Sequence, residues 1–115
     1  MKEMRNEIEY RGITYNLVFN LNVMEVIQDE YGTLDKWGSL TDASNGEPNA
    51  KAVVFGFTAM LNEGIDIDNE ENGTTNPFLT HKQVGRMLTE IGLREATLKM
   101  NTTVIESTKS EEKNA

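Results

Sequence analysis

The stretch over residues 12–37, GITYNLVFNLNVMEVIQDEYGTLDKW, changes hydrophobic period at its middle. Ile13, Tyr15, Leu17 and Phe19 alternate with Thr14, Asn16, Val18 and Asn20, the two-residue period of a strand with one apolar face. Val23, Ile27, Tyr31 and Leu34 then recur at three- to four-residue steps, the period of a helix. A strand running directly into a helix points to an α+β chain. Asn22 and Glu25 stand at capping-box spacing, with Asn in place of the usual Ser or Thr, and predict a helix over residues 22–31 with Gly32 at C′.

The segment before Gly12 predicts the strand's partner. If Arg11 and Gly12 form a two-residue turn, Tyr10 faces Ile13, Ile8 faces Tyr15, Asn6 faces Leu17 and Met4 faces Phe19. Almost every apolar side chain then falls on one side, as an antiparallel pair with one buried face requires. Arg is uncommon at positive φ, so a longer turn with Gly12 in a bulge is the competing geometry. An isolated hairpin is marginal in water, so helices must cover its apolar face.

Downstream, Thr33 is placed to cap a short helix over residues 34–37, and residues 38–49 read as a polar loop carrying Gly46 and Pro48. A helix over residues 48–63 contains Ala52, Val53, Val54, Phe55, Phe57, Ala59, Met60 and Leu61 and is apolar nearly all round. Such a helix is either central or half-covered by a partner. Gly56 inside it costs about 1 kcal/mol against Ala, which points to a close backbone contact. Residues 65–79 lack helical period and read as a long connection pinned by Ile65, Ile67, Pro77, Phe78 and Leu79. Thr80 and Gln83 form a second capping-box pair, and Val84, Met87, Leu88 and Ile91 give a helical face. Gly92 stops it, and Leu93, Ala96, Thr97, Met100 and Val104 carry the same spacing into a last helix. The expected fold is α+β: an N-terminal antiparallel β-hairpin packed on a bundle of about four α-helices. Residues 1–107 form a single domain, and residues 108–115, without an apolar anchor, a disordered polar tail.

Composition narrows the chemistry. The 115 residues carry a formal charge of −8, which disfavours nucleic acid in the absence of a basic patch and suits solubility or a basic partner. There is no cysteine, so disulfides and thiolate metal sites are excluded. The first ten residues lack a signal-peptide h-region, and no apolar run approaches the ~18 residues of a membrane span. Asp68, Glu70, Asn72 and Gly73 loosely match the start of a calcium-binding loop, but the position that needs a bidentate Glu is Leu79, so an acidic, solvated loop is expected. His81, the one histidine, has no thiolate companions for zinc and belongs to a first helical turn. No phosphate-binding glycine motif or nucleophile elbow occurs. The expectation is a non-enzymatic protein without cofactor or metal. Tyr31, Trp37, Phe55, Met60 and Phe78 are the candidate partner-contacting side chains, drawn from large apolar residues that serve either core or interface.

Several blocks taken in order resemble a known family. They are the Gly12-x-x-Tyr15-x-Leu17 strand, Phe19-Asn20-Leu21-Asn22, a helix closing on Glu30-Tyr31-Gly32, and residues 59–67 (AMLNEGIDI). Pro77-Phe78-Leu79-Thr80 and Val84-Gly85-Arg86 leading to Glu90-Ile91-Gly92 follow. Over roughly residues 8–107 the chain looks like the tail assembly chaperones of long-tailed bacteriophages of Gram-positive hosts. The resemblance implies a non-catalytic protein of the bacterial host cytoplasm that binds the tape-measure protein, keeps it soluble and helps recruit tail-tube protein. Such a chaperone is absent from the mature virion, and self-association, where it occurs, is weak. In this family a longer form often arises by frameshifting near the end of the reading frame. The competing expectation is a small structural tail or connector subunit retained in the virion.

Overall fold

In the computed structural model, which describes residues 4–44 and 46–113, Arg11 and Gly12 form a two-residue turn with φ of 50° and 78°. Both central residues are therefore left-handed, the type I′ geometry that matches strand twist. Glycine takes this conformation freely; Arg11 is held there by its guanidinium, which pairs with Glu90 and lies 5.3 Å over the Tyr10 ring. The turn joins β1 (Met4–Tyr10) to β2 (Ile13–Phe19) in the register Met4↔Phe19, Asn6↔Leu17, Ile8↔Tyr15 and Tyr10↔Ile13. The expected pairing is thus observed, without a bulge.

Among the described residues five helices follow: α1 (Leu21–Tyr31), α2 (Leu34–Thr41), α3 (Ala50–Asn72), α4 (His81–Ile91) and α5 (Leu93–Lys113). The fold is α+β, with five helices in place of about four. The N-cap of α1 is Asn20, whose side chain accepts from the Val23 amide at 3.2 Å, and not Asn22. Asn22 instead turns its amide to Glu63, beside that of Asn20. Thr33 caps α2 as expected, and α2 runs on to Thr41, so the connection to α3 begins only at Asp42. Thr80 and Gln83 close both halves of the capping box on α4.

The largest departure is α3. Its 23 residues span about 35 Å at 1.5 Å per residue and take in most of the expected irregular connection. Tertiary contacts hold the polar extension: Asn16 donates to Asp68 at 3.1 Å, Arg5 pairs with Glu71, and Gly73 ends the helix in the left-handed conformation. The remaining connection is pinned by two asparagines of α3. Asn62 both donates to and accepts from the Leu79 backbone, at 2.9 and 2.8 Å, and Asn69 does the same for Asn76, at 3.0 Å each. α5 runs past the boundary expected at residue 108, continuing to Lys113, and Thr108 bonds back to Ile105; residues 114–115 of the expected tail lie outside the described residues.

α3 is central. Val53, Phe57, Met60 and Leu61 are fully buried against Leu17 and Phe19 of β2 and the inner faces of the other helices. Each such side chain contributes roughly 1.5–3 kcal/mol through its removal from water. Two glycines let neighbours reach the α3 backbone. A Cβ on Gly56 would lie 2.3 Å from the Trp37 ring, and one on Gly64 would lie 2.2 Å from the Asn16 carbonyl oxygen. Counting pairs from the turn, Asn16 directs that carbonyl away from β1, so α3 covers the outer edge of β2.

Candidate functional site

The core uses only part of α3. Phe55, Thr58, Ala59, Asn62 and Asp66 recur at helical spacing and form a second stripe, which floors an open groove of about 450 Å³. Asn22, Val23 and Val26 of α1 make one wall; Phe78 and His81 make the other. Val26 and Phe78 are 45% and 56% exposed, so the groove presents large apolar side chains to solvent. Tyr31 supports its end by packing edge-on against Phe55, with ring centroids 5.5 Å apart and planes at 79°. Partial burial, with the Glu30 charge adding to it, raises the Tyr31 phenol above its ordinary pKa, so it stays neutral. The Asn62 clamp on Leu79 holds the segment that carries Phe78, and so fixes the separation of the walls.

Of the five candidate contact residues, Phe55 and Phe78 both line this groove and Tyr31 flanks it. Trp37 and Met60 do not belong to it. Trp37 is 1% exposed, with its indole N–H donating to the Ala52 carbonyl at 3.0 Å, and Met60 is fully buried. Their size placed them among the candidates, but they lie on the α3 side that faces the core, where Gly56 makes room for the indole. Sequence reasoning missed Val26, Asn62 and His81. Val26 had a detectable signal, being an apolar residue off the Val23–Ile27 stripe of its helix. Asn62 and His81 had none, because their placement depends on how the 73–80 connection folds back.

The acid-rich segment after Gly64 is helical. Asp66, Asp68 and Glu70 lie on α3, so the first positions of the calcium-type alignment stand on a helix and not in the expected loop. Among the described residues no three His, Cys, Asp or Glu side chains converge on a metal position. Glu63 and Asp66 carry the groove's acidity at one end, and among the described residues no Lys or Arg lines it. A larger hollow of about 670 Å³ between α2 and α5 is more polar, with Asp35, Asp42 and Asn101 among its lining residues. Among the described residues no helix is long and apolar enough to cross a membrane. Comparison with family models, with curated proteins and with solved structures gives no match.

Proposed function

We propose that this protein is a phage tail assembly chaperone. It binds the tape-measure protein in the host cytoplasm, keeps it soluble until tail-tube protein is recruited, performs no catalysis and leaves before the virion matures. The observation that carries this reading is the groove, where Val26, Phe55, Ala59 and Phe78 stand open on an otherwise acidic molecule. A groove floored by one helix and walled by another suits a partner that is itself helical and apolar. The motif resemblance supplies the partner's identity, and the groove supplies a place for it.

The test is co-expression with the candidate tape-measure protein. Soluble tape-measure protein should rise and the complex should survive about 0.5 M salt, because apolar burial is screened far less than charge. A Val26→Asp/Phe78→Asp double variant changes two exposed positions and should abolish the effect while leaving the fold intact. Tape-measure protein that stays insoluble at every salt concentration rejects the function. Mass spectrometry of purified particles separates it from a retained tail or connector subunit, which would be found there.

A further inference from the structure

We infer that the groove takes a three-turn amphipathic helix whose apolar stripe ends in a lysine or arginine facing Glu63 and Asp66, an occupant that presupposes the partner-binding function above. From Phe55 to Asp66 the floor is twelve residues of α3, a rise of about 16 Å or three helical turns. Along that length the floor passes from Phe55 and Ala59 to the carboxylates Glu63 and Asp66, and Phe78, next to the Leu79 that Asn62 clamps, lies level with the acidic end.

A partner lying along the whole floor removes water from both acids. Glu63 keeps two amide donors, from Asn20 at 2.6 Å and Asn22 at 3.0 Å, whereas Asp66 is an exposed side chain of the groove. A partner apolar over its full length would leave a desolvated carboxylate without a counter-charge, and an acidic one would be repelled. A cation at that end satisfies the acids and fixes the register of the apolar side chains against Phe55 and Phe78. Apolar area then supplies affinity, while the charge supplies selection among helices of similar hydrophobicity.

Two designed peptides of about 14 residues test this, each with Leu at i, i+3, i+4 and i+7. One carries Lys in its last turn; the other has Glu at the same positions, matched for helix content by circular dichroism. Titrated into the ¹⁵N-labelled protein at 0.1 M salt, the Lys peptide should shift the amides of Val26, Phe55, Ala59 and Phe78. It should bind about five-fold more tightly than the Glu peptide, the scale of a partly exposed ion pair. In Asp66→Lys, an exposed substitution, the new ammonium offsets the remaining Glu63 carboxylate, so the preference should fall to within about two-fold at an unchanged urea midpoint. Equal affinities for the wild type, a five-fold preference kept in D66K, or shifts mapping outside the groove overturn the inference. Co-expression separates this from the function itself. Tape-measure protein solubilised equally by wild type and D66K leaves the chaperone standing without the acidic end. Peptide selectivity without solubilisation leaves the groove's preference standing without that partner.

Discussion

Substituting alanine for three helical glycines should give stability changes of opposite sign, set by what each new Cβ meets. In a helix interior Ala is favoured over Gly by about 0.8–1 kcal/mol. Gly85 of α4 has nothing within 4 Å of a built Cβ, so Gly85→Ala should stabilise by most of that amount. At Gly64 the same methyl would sit 2.2 Å from the Asn16 carbonyl oxygen, about 1.2 Å short of the 3.4 Å at which ordinary contact begins. That oxygen is backbone of β2 and cannot rotate away, so α3 must move off the strand it packs on most. Overpacking typically costs 1–3 kcal/mol, and a displacement of this size belongs at or above the upper end. After the propensity gain, Gly64→Ala should be destabilising by at least about 2 kcal/mol.

Gly56→Ala meets the Trp37 ring at 2.3 Å and should behave similarly, because the indole is anchored on the Ala52 carbonyl. Urea unfolding followed at 222 nm reads all three, with the m-value checking that the transition keeps its size. If Gly64→Ala stabilises as much as Gly85→Ala, the close approach of α3 to β2 is wrong, and with it the placement of every groove residue on α3.

Asn62→Ala should cost about 1–3 kcal/mol by leaving the Leu79 N–H and C=O unpaired. Amide exchange over residues 76–80 should quicken; unchanged exchange there would remove the clamp from the account. Thr80→Ala should cost about 1 kcal/mol through loss of the capping box, with Thr80→Ser recovering most of it in the same denaturation assay. Trp37→Phe should lower stability by about 2 kcal/mol, from one lost hydrogen bond and a partly unfilled site, while far-ultraviolet circular dichroism stays unchanged. The hydrogen bond from Arg11 holds the Glu90 carboxyl below its ordinary pKa. A depressed folded-state pKa means that this pair's contribution is complete above the unfolded carboxylate pKa and is lost as pH falls through the folded one. NMR titration should show Glu90 moving back up in Arg11→Ala.

Local chemistry was legible wherever it decided the structure. The β1–β2 register follows from which residues share an apolar face, and the Thr80–Gln83 box from two side chains three residues apart. The cap of α1 was not legible: the Asn22–Glu25 spacing points to Asn22. Asn20 takes the role because it sits extended directly after β2, at the point where the strand ends. The far half of α3 was not legible. Gly64 resembles a stop, Ile65 and Ile67 alternate as in a strand, and Asp66, Asp68, Asn69 and Asn72 are weak helix formers. What keeps that half helical is distant in sequence: the Asn16 carbonyl that needs Gly64, the Asn16–Asp68 bond and the Arg5–Glu71 pair. The groove inherits the same difficulty, since its second wall is the chain returning after α3.

One helix serves as both the centre of the core and the floor of the candidate site, and this constrains how the two can be separated experimentally. Val53, Phe57, Met60 and Leu61 alternate around α3 with Phe55, Ala59 and Asp66, so core and floor positions are adjacent in sequence throughout. A substitution of Phe55 disturbs its ring contact with Tyr31 and the position of α1 as well as the groove. Loss of binding in a Phe55 variant therefore does not distinguish a contact from a shift in the fold. The walls are separable from the core. Val26 and Phe78 are exposed side chains on elements whose buried or clamped neighbours, Val23, Ile27 and Leu79, do the anchoring. Charge placed at Val26 or Phe78 should therefore reduce partner binding with little change in unfolding midpoint, whereas charge at Phe55 should reduce both. If Val26→Asp lowers the midpoint as much as Phe55→Asp, Val26 is core and the groove is closed in solution.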